Sequence, residues 1–120
     1  MAELRIDGDL LRVELPPREA AKSFHRSFSV PLSAIRRVRT PHNAWAELRG
    51  WRSTGITIPG RTAFGTRRHG GGYDFVAVRR QDPTVLVELN GARYGEIMVS
   101  VSDPATVARD IAAAAGIAAD

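Results

Sequence analysis

A chain of 120 residues with no cysteine and a net charge of +4 has the length of one domain built on a single core. The missing cysteine excludes disulfides, thiolate metal sites and a thiol nucleophile, and is compatible with a cytoplasmic location. No stretch approaches the ~20 apolar residues that span a bilayer, and the acidic, alternating opening MAELRIDGDL is not expected to be a signal peptide.

The charge is unevenly placed. Residues 18–80 carry twelve arginines and Lys22 against Glu19, Glu47 and Asp74, whereas residues 81–120 are net acidic. Such a distribution can steer an anionic partner. Sixteen arginines against one lysine also fit a compositional bias in which arginine is the ordinary solvated cation.

In chain order, Glu3–Ile6 and Leu10–Leu15 flank Asp7-Gly8-Asp9 and read as a hairpin, with Leu11, Val13 and Leu15 on one face. Pro16 and Pro17 end it. Pro17–Phe24 reads as one or two helical turns. Ser27–Val30 and Ala34–Arg39 read as strands interrupted around Pro31-Leu32-Ser33, and alternation puts Arg37 and Arg39 on one face. Thr40–Gly55 is expected to be irregular and holds both Trp45 and Trp51. Ile56 and Ile58 lead to a Pro59-Gly60 turn, Arg61–Gly65 reads as a strand, and Thr66–Gly72 as a loop. In the strand Tyr73–Arg80, Tyr73, Phe75 and Ala77 share one face, and Asp74, Val76 and Val78 share the other. Gln81-Asp82-Pro83 is a turn.

Thr84 to Gly116 is the clearest stretch. Val85, Val87 and Leu89 alternate with Thr84, Leu86 and Glu88, and Asn90-Gly91 suits a turn needing positive φ. Ile97, Val99 and Val101 then form the core face of the next strand. Asp103 is placed to cap a helix that starts at Pro104 and stops at Gly116. Its apolar stripe is Val107, Ala108, Ile111 and Ala115. The whole reads as a mainly β domain, a barrel or roll of about seven antiparallel strands capped by a C-terminal helix.

A resemblance enters through Arg49-Gly50-Trp51-Arg52, Gly55, Pro59-Gly60, Gly65-Thr66-Arg67-Arg68, Asp74-Phe75 and Val99-Ser100-Val101 with Asp103-Pro104. This pattern resembles a group of small actinobacterial proteins, from about Val30 onward. The order of elements is similar to bacterial pleckstrin-homology-like (PH-like) domains. That likeness implies a partly open barrel plugged by the terminal helix, with no catalytic residues to carry over. The basic pattern by which phosphoinositide-binding relatives act is not reproduced, because the first strand pair offers Arg5 and Arg12 beside four acids.

Chemical signatures are sparse. His25, His42 and His69 lack metal-ligand spacing. No G-x-S-x-G elbow exists, and a triad drawn from Ser53, His69 and Asp74 has no sequence support. Gly70-Gly71-Gly72 lacks the lysine, hydroxyl and helix of a phosphate loop and reads as a mobile hairpin loop beside Arg67, Arg68 and His69. Trp45 and Trp51 are expected either to cover an open end of the sheet or to form a recognition surface, with Arg49 and Arg52 stacking on Trp51. The expected function is a non-enzymatic binding or scaffold module without cofactor or metal. Its partner is expected to be another protein or a second copy of the chain. Its candidate surface is Trp45, Arg49, Trp51, Arg52, Arg67, Arg68 and His69. Electrostatic binding of an anionic lipid or nucleic acid is the alternative, followed by a small enzyme.

Overall fold

The computed structural model describes residues 2–23 and 26–118. Within them the domain is mainly β, with two sheets and a C-terminal helix. The first sheet has three strands in the order β1 (Glu3–Asp7), β2 (Leu10–Glu14) and β3 (Phe28–Pro31), all antiparallel. Helix α1 (Pro17–Ser23) lies between β2 and β3 in the chain and packs against β5 and β6 of the second sheet. The second sheet comprises β4 (Ile35–Arg39), β5 (Trp51–Ile58), β6 (Thr62–His69), β7 (Gly72–Arg79), β8 (Thr84–Leu89) and β9 (Glu96–Ser100). Their spatial order is β4-β8-β9-β7-β6-β5.

Several sequence expectations need correction. The sheets do not close into a barrel: β4 and β5 are the edges of an open six-stranded sheet. The strands number nine among the described residues, and β7 runs parallel to β9, because β9 inserts between β7 and β8. Thr66–His69 is not a loop but the second half of β6, and the expected irregular segment ends at Trp51, where β5 begins. These polar residues extend as strands because they pair with each other, Trp51 with Arg68 and Arg52 with Arg67. Phe24 and His25, the end of the expected helical turns and one of the three histidines, lie outside the described residues.

The main core lies between the two sheets. Leu11, Val13 and Val30 from the small sheet meet Phe64, Phe75, Ala77, Val85, Val87, Ile97 and Val99 from the inner face of the large one. Phe28 packs edge-on to Phe75, with centroids 4.9 Å apart, and to Tyr94 at 5.3 Å. Helix α2 (Pro104–Ala115) lies against β4 and β8 and reaches β1. The side chain of Asp103 accepts the Thr106 N–H, Pro104 occupies the first turn, and Gly116 ends the helix at φ 73°. Ala108 and Ile111 are buried as expected, and Val107 and Ala115 pack at the margin of the core. Ala112 is also buried, which widens the stripe. Among the described residues no helix is long and apolar enough to cross a membrane.

The outer face of the large sheet carries a second, smaller core of Ala63, Val76, Val78, Leu86 and Met98. It is covered by the 3-10 turn Ala44–Glu47, from which Ala44, Trp45 and the following Leu48 pack down. Both faces are therefore buried over Asp74–Val78 of β7 and along β8 and β9, so these strands carry apolar residues on both faces rather than alternating.

In the turn from β8 to β9, Gly91 takes φ 74° while Asn90 stays in the ordinary region, which excludes the two-residue hairpin type that needs both positive. Instead the Asn90 N–H donates to the Ala34 carbonyl.

Candidate functional site

One register row crosses the whole large sheet. Arg37 stands opposite Glu88, Glu88 opposite Glu96, Glu96 beside Asp74, Asp74 opposite Arg67, and Arg67 opposite Arg52. Three acids thus sit on the central strands, buried on the outer face beside the small core, with cations at both flanks. Like charges side by side in a sheet are destabilising unless cations intervene.

The cations intervene from two directions. A register shift between Ile35 and Arg37 lets two successive residues, Arg36 and Arg37, point outward together. Arg36, Arg37 and Arg39 all pair with Glu88, and Arg39 also pairs with Glu47. These carboxylates raise Arg39 above its usual range, the Glu47 hydrogen bond most. From the other side Arg49 grips Asp74 with both nitrogens, Nε to Oδ2 at 2.8 Å and Nη2 to Oδ1 at 2.7 Å. That hydrogen-bonded pairing raises Arg49 in turn. Gly95 makes room: a Cβ there would stand 3.1 Å from Arg49 Nη2. Arg67 donates to the carbonyls of Arg49 and Gly50, tying the loop to β6, and burial lowers its guanidinium from the usual value. Glu96 is the weak point. Its Oε1 is buried without a hydrogen-bond partner, 3.5 Å from Arg49 Nε. Burial, followed by neighbouring Asp74 and Glu88, pushes its carboxyl up against the opposing pull of Arg49.

His69 completes this network. Its Nε2 lies 3.1 Å from Asp74 Oδ1, and its Nδ1 accepts the Gly71 N–H at 3.0 Å. Nε2 must therefore carry the proton that it gives to Asp74. A His–Asp pair is present, but the second ring nitrogen already holds a backbone proton and offers no lone pair to a serine. Ser53 is exposed on β5 with no hydrogen bond to His69. Among the described residues no group of three or more His, Cys, Asp or Glu side chains is placed to hold a metal ion.

The seven residues of the expected surface divide into three groups. Arg49, Arg67 and His69 belong to the Asp74 network. Trp45 covers the outer core, and its Nε1–H donates to the Arg80 carbonyl at 2.7 Å. Trp51, Arg52 and Arg68 remain exposed on β5 and β6. Arg49 does not stack on Trp51, because it is spent on Asp74. Trp51 is 81% exposed, the most open of the large apolar side chains among the described residues. It stands opposite Arg68, which stands opposite Tyr73, itself 43% exposed. This Trp51–Arg68–Tyr73 row lies on the inner-face side of the sheet, in line with Phe75, but beyond the cover of the core. Tyr73, Glu88 and Glu96 were not singled out as site residues from sequence. Their signal was available: Asp74, Glu88 and Glu96 are acids set inside otherwise apolar strands.

Comparison of the chain with family models, with curated proteins and with solved structures finds no match.

Proposed function

We propose that this chain is a non-enzymatic protein-interaction module that docks a partner on the Trp51–Arg68–Tyr73 row. The exposure of Trp51 carries the reading. A tryptophan left 81% open on a paired strand forgoes the burial that makes it valuable in a core. Tryptophan, tyrosine and arginine are also the residues that dominate binding hot spots. The row is held by ladder pairing on three adjacent strands, so it is presented rigidly. Of the neighbouring polar groups, Arg49 and His69 are held by Asp74 and Arg67 by backbone carbonyls, which leaves the aromatic row and the adjacent Arg52 accessible. The PH-like relationship belongs to the same proposal. Two sheets with a C-terminal helix support it, and the parallel β7–β9 pair is where this chain departs from the expected antiparallel order.

The test is affinity capture from the native host with wild type and Trp51→Ala side by side, together with sedimentation velocity of each. A partner, or a self-associated species, that is lost in Trp51→Ala while the melting temperature is unchanged is the expected result. Identical capture and identical sedimentation by both proteins would remove the proposal.

A further inference from the structure

At the opposite end of β5, β6 and β7 from Trp51 lies a cavity of about 290 Å³, lined by Ile56, Ile58, Arg61, Thr62, Arg79 and Arg80. The fold brings these residues together through two adjacent turns. Pro59-Gly60 reverses β5 into β6, with the Arg61 N–H closing on the Ile58 carbonyl. Thr62 stands opposite Arg79 in the ladder, and the Arg80 N–H donates to the Arg61 carbonyl at 2.6 Å. Successive residues on a regular strand would diverge, yet Arg79 and Arg80 line the same cavity. The reason is that Arg80 leaves the strand at φ 47°, the only non-glycine residue at positive φ among those described. Its carbonyl is held there by the indole N–H of Trp45. A non-glycine residue kept in this region costs stability and marks a place where the surroundings over-determine the backbone.

The charge at this cavity is unmatched, as it is for the exposed Arg52 and Arg68 near the other end of the sheet, but here three such arginines line one space. Arg36, Arg37, Arg39 and Arg49 are matched by carboxylates, and Arg67 by carbonyls. Arg61, Arg79 and Arg80 make no side-chain hydrogen bond or ion pair among the described residues. Three arginines thus line one space whose lining holds no acid, and like charges on neighbouring strands repel. An anion in that space relieves the repulsion. Thr62 adds a hydroxyl donor, and Ile56 and Ile58 add an apolar wall, Ile58 being largely exposed.

We propose that this cavity binds a phosphate monoester carrying a small apolar substituent. Three guanidinium forks suit the three terminal oxygens and the near-double charge of a monoester, and the isoleucines give its organic part a surface to cover. The size is at the lower end of ligand pockets, which fits a small ester or the head of a larger one.

The probes are phenyl phosphate, inorganic phosphate and vesicles containing phosphatidic acid, applied to the full chain at low and at physiological salt. Calorimetry and amide chemical-shift mapping are the readouts. Phenyl phosphate is expected to shift residues 56–62 and 79–80 and to bind more tightly than inorganic phosphate. Arg61→Ala and Arg79→Ala are each expected to weaken it by roughly tenfold, since a charge-assisted hydrogen bond is lost. Arg109→Ala, on an exposed position of α2, should leave binding unchanged, and the melting temperatures of all three variants should stay close to wild type. Arg79-dependent vesicle binding would assign the monoester to a lipid headgroup. Phenyl phosphate binding without vesicle binding would assign it to a soluble ester. The proposal is overturned by no binding at low salt, by shifts spread over exposed arginines throughout the domain, or by equal affinity for inorganic phosphate and phenyl phosphate.

Discussion

Arg49 and Asp74 meet fork to fork across a separation of twenty-five residues in sequence, and that contact fastens the loop before β5 onto the middle of the large sheet. Asp74 is 1% exposed, and its carboxylate oxygens are met by the arginine and His69 rather than by water. Asp74→Asn keeps the shape but turns an amide N–H₂ or a single carbonyl toward Arg49. It is expected to destabilise the domain by about 2–3 kcal/mol, somewhat below the usual cost of breaking a buried pair because Arg49 is partly solvated. Arg49→Lys should recover little, since an ammonium cannot make the paired bonds. Urea denaturation of the three proteins measures this, and a lysine variant as stable as wild type would contradict it.

Glu96 sets a pH dependence of defined sign. Its folded carboxyl is raised from 4.5, mainly by burial, so the folded state holds the proton more tightly than the unfolded chain. The stability it contributes is full below that unfolded value and is lost as pH rises through the folded one. Glu96→Gln should therefore be more stable than wild type at neutral pH, and the advantage should shrink toward pH 4. Melting curves across that range provide the check. A variant less stable than wild type at pH 7 would show that the attraction of Arg49 outweighs desolvation.

The two tryptophans separate stability from recognition. Trp45→Phe removes a hydrogen bond to Arg80 and part of the cover over Val76, Leu86 and Met98, at a cost of about 1 kcal/mol. Trp51→Ala removes an exposed side chain and should change stability by no more than ~0.5 kcal/mol. Equal destabilisation by both substitutions would place Trp51 in the core and end its proposed docking role.

Gly55 and Gly65 face each other across β5 and β6. A Cβ on Gly55 would lie 1.9 Å from the Phe64 carbonyl oxygen, and one on Gly65 2.2 Å from that of Thr54. Both residues also hold positive φ, so alanine is penalised twice. Each substitution is expected to cost at least ~2 kcal/mol and to raise hydrogen exchange in β5 before the central strands. Wild-type protection in β5 of either variant would refute this.

What could be read in advance divides along physical lines. The helix from Pro104 to Gly116 was legible because its start, stop and stripe are local chemistry, and β8 and β9 because their residues are strongly apolar. The second half of β6 and the start of β5 were not. Thr66, Arg67, Arg68 and His69 have no apolar rhythm, and they extend because β7 pairs with all four and β5 with the first three. The parallel pairing of β7 with β9 is equally non-local. For the candidate site, residue types were suggestive but partners were not. Arg49 was grouped with the tryptophans by neighbourhood in the chain, whereas folding assigns it to Asp74.

The register shift in β5 between Arg52 and Thr54 has a consequence for the aromatic row. Counting back by twos from Ile58, Ile56 and Thr54 would bring Arg52 to the inner-face side and turn Trp51 away. The extra residue reverses that phase, so that Trp51 lines up with Tyr73 instead. Position 53 thus contributes a count rather than a chemistry. Exchanging Ser53 for another small residue leaves the surface as it is, and deleting it removes the bulge yet keeps Trp51 on the same side, two positions before Thr54 in plain alternation.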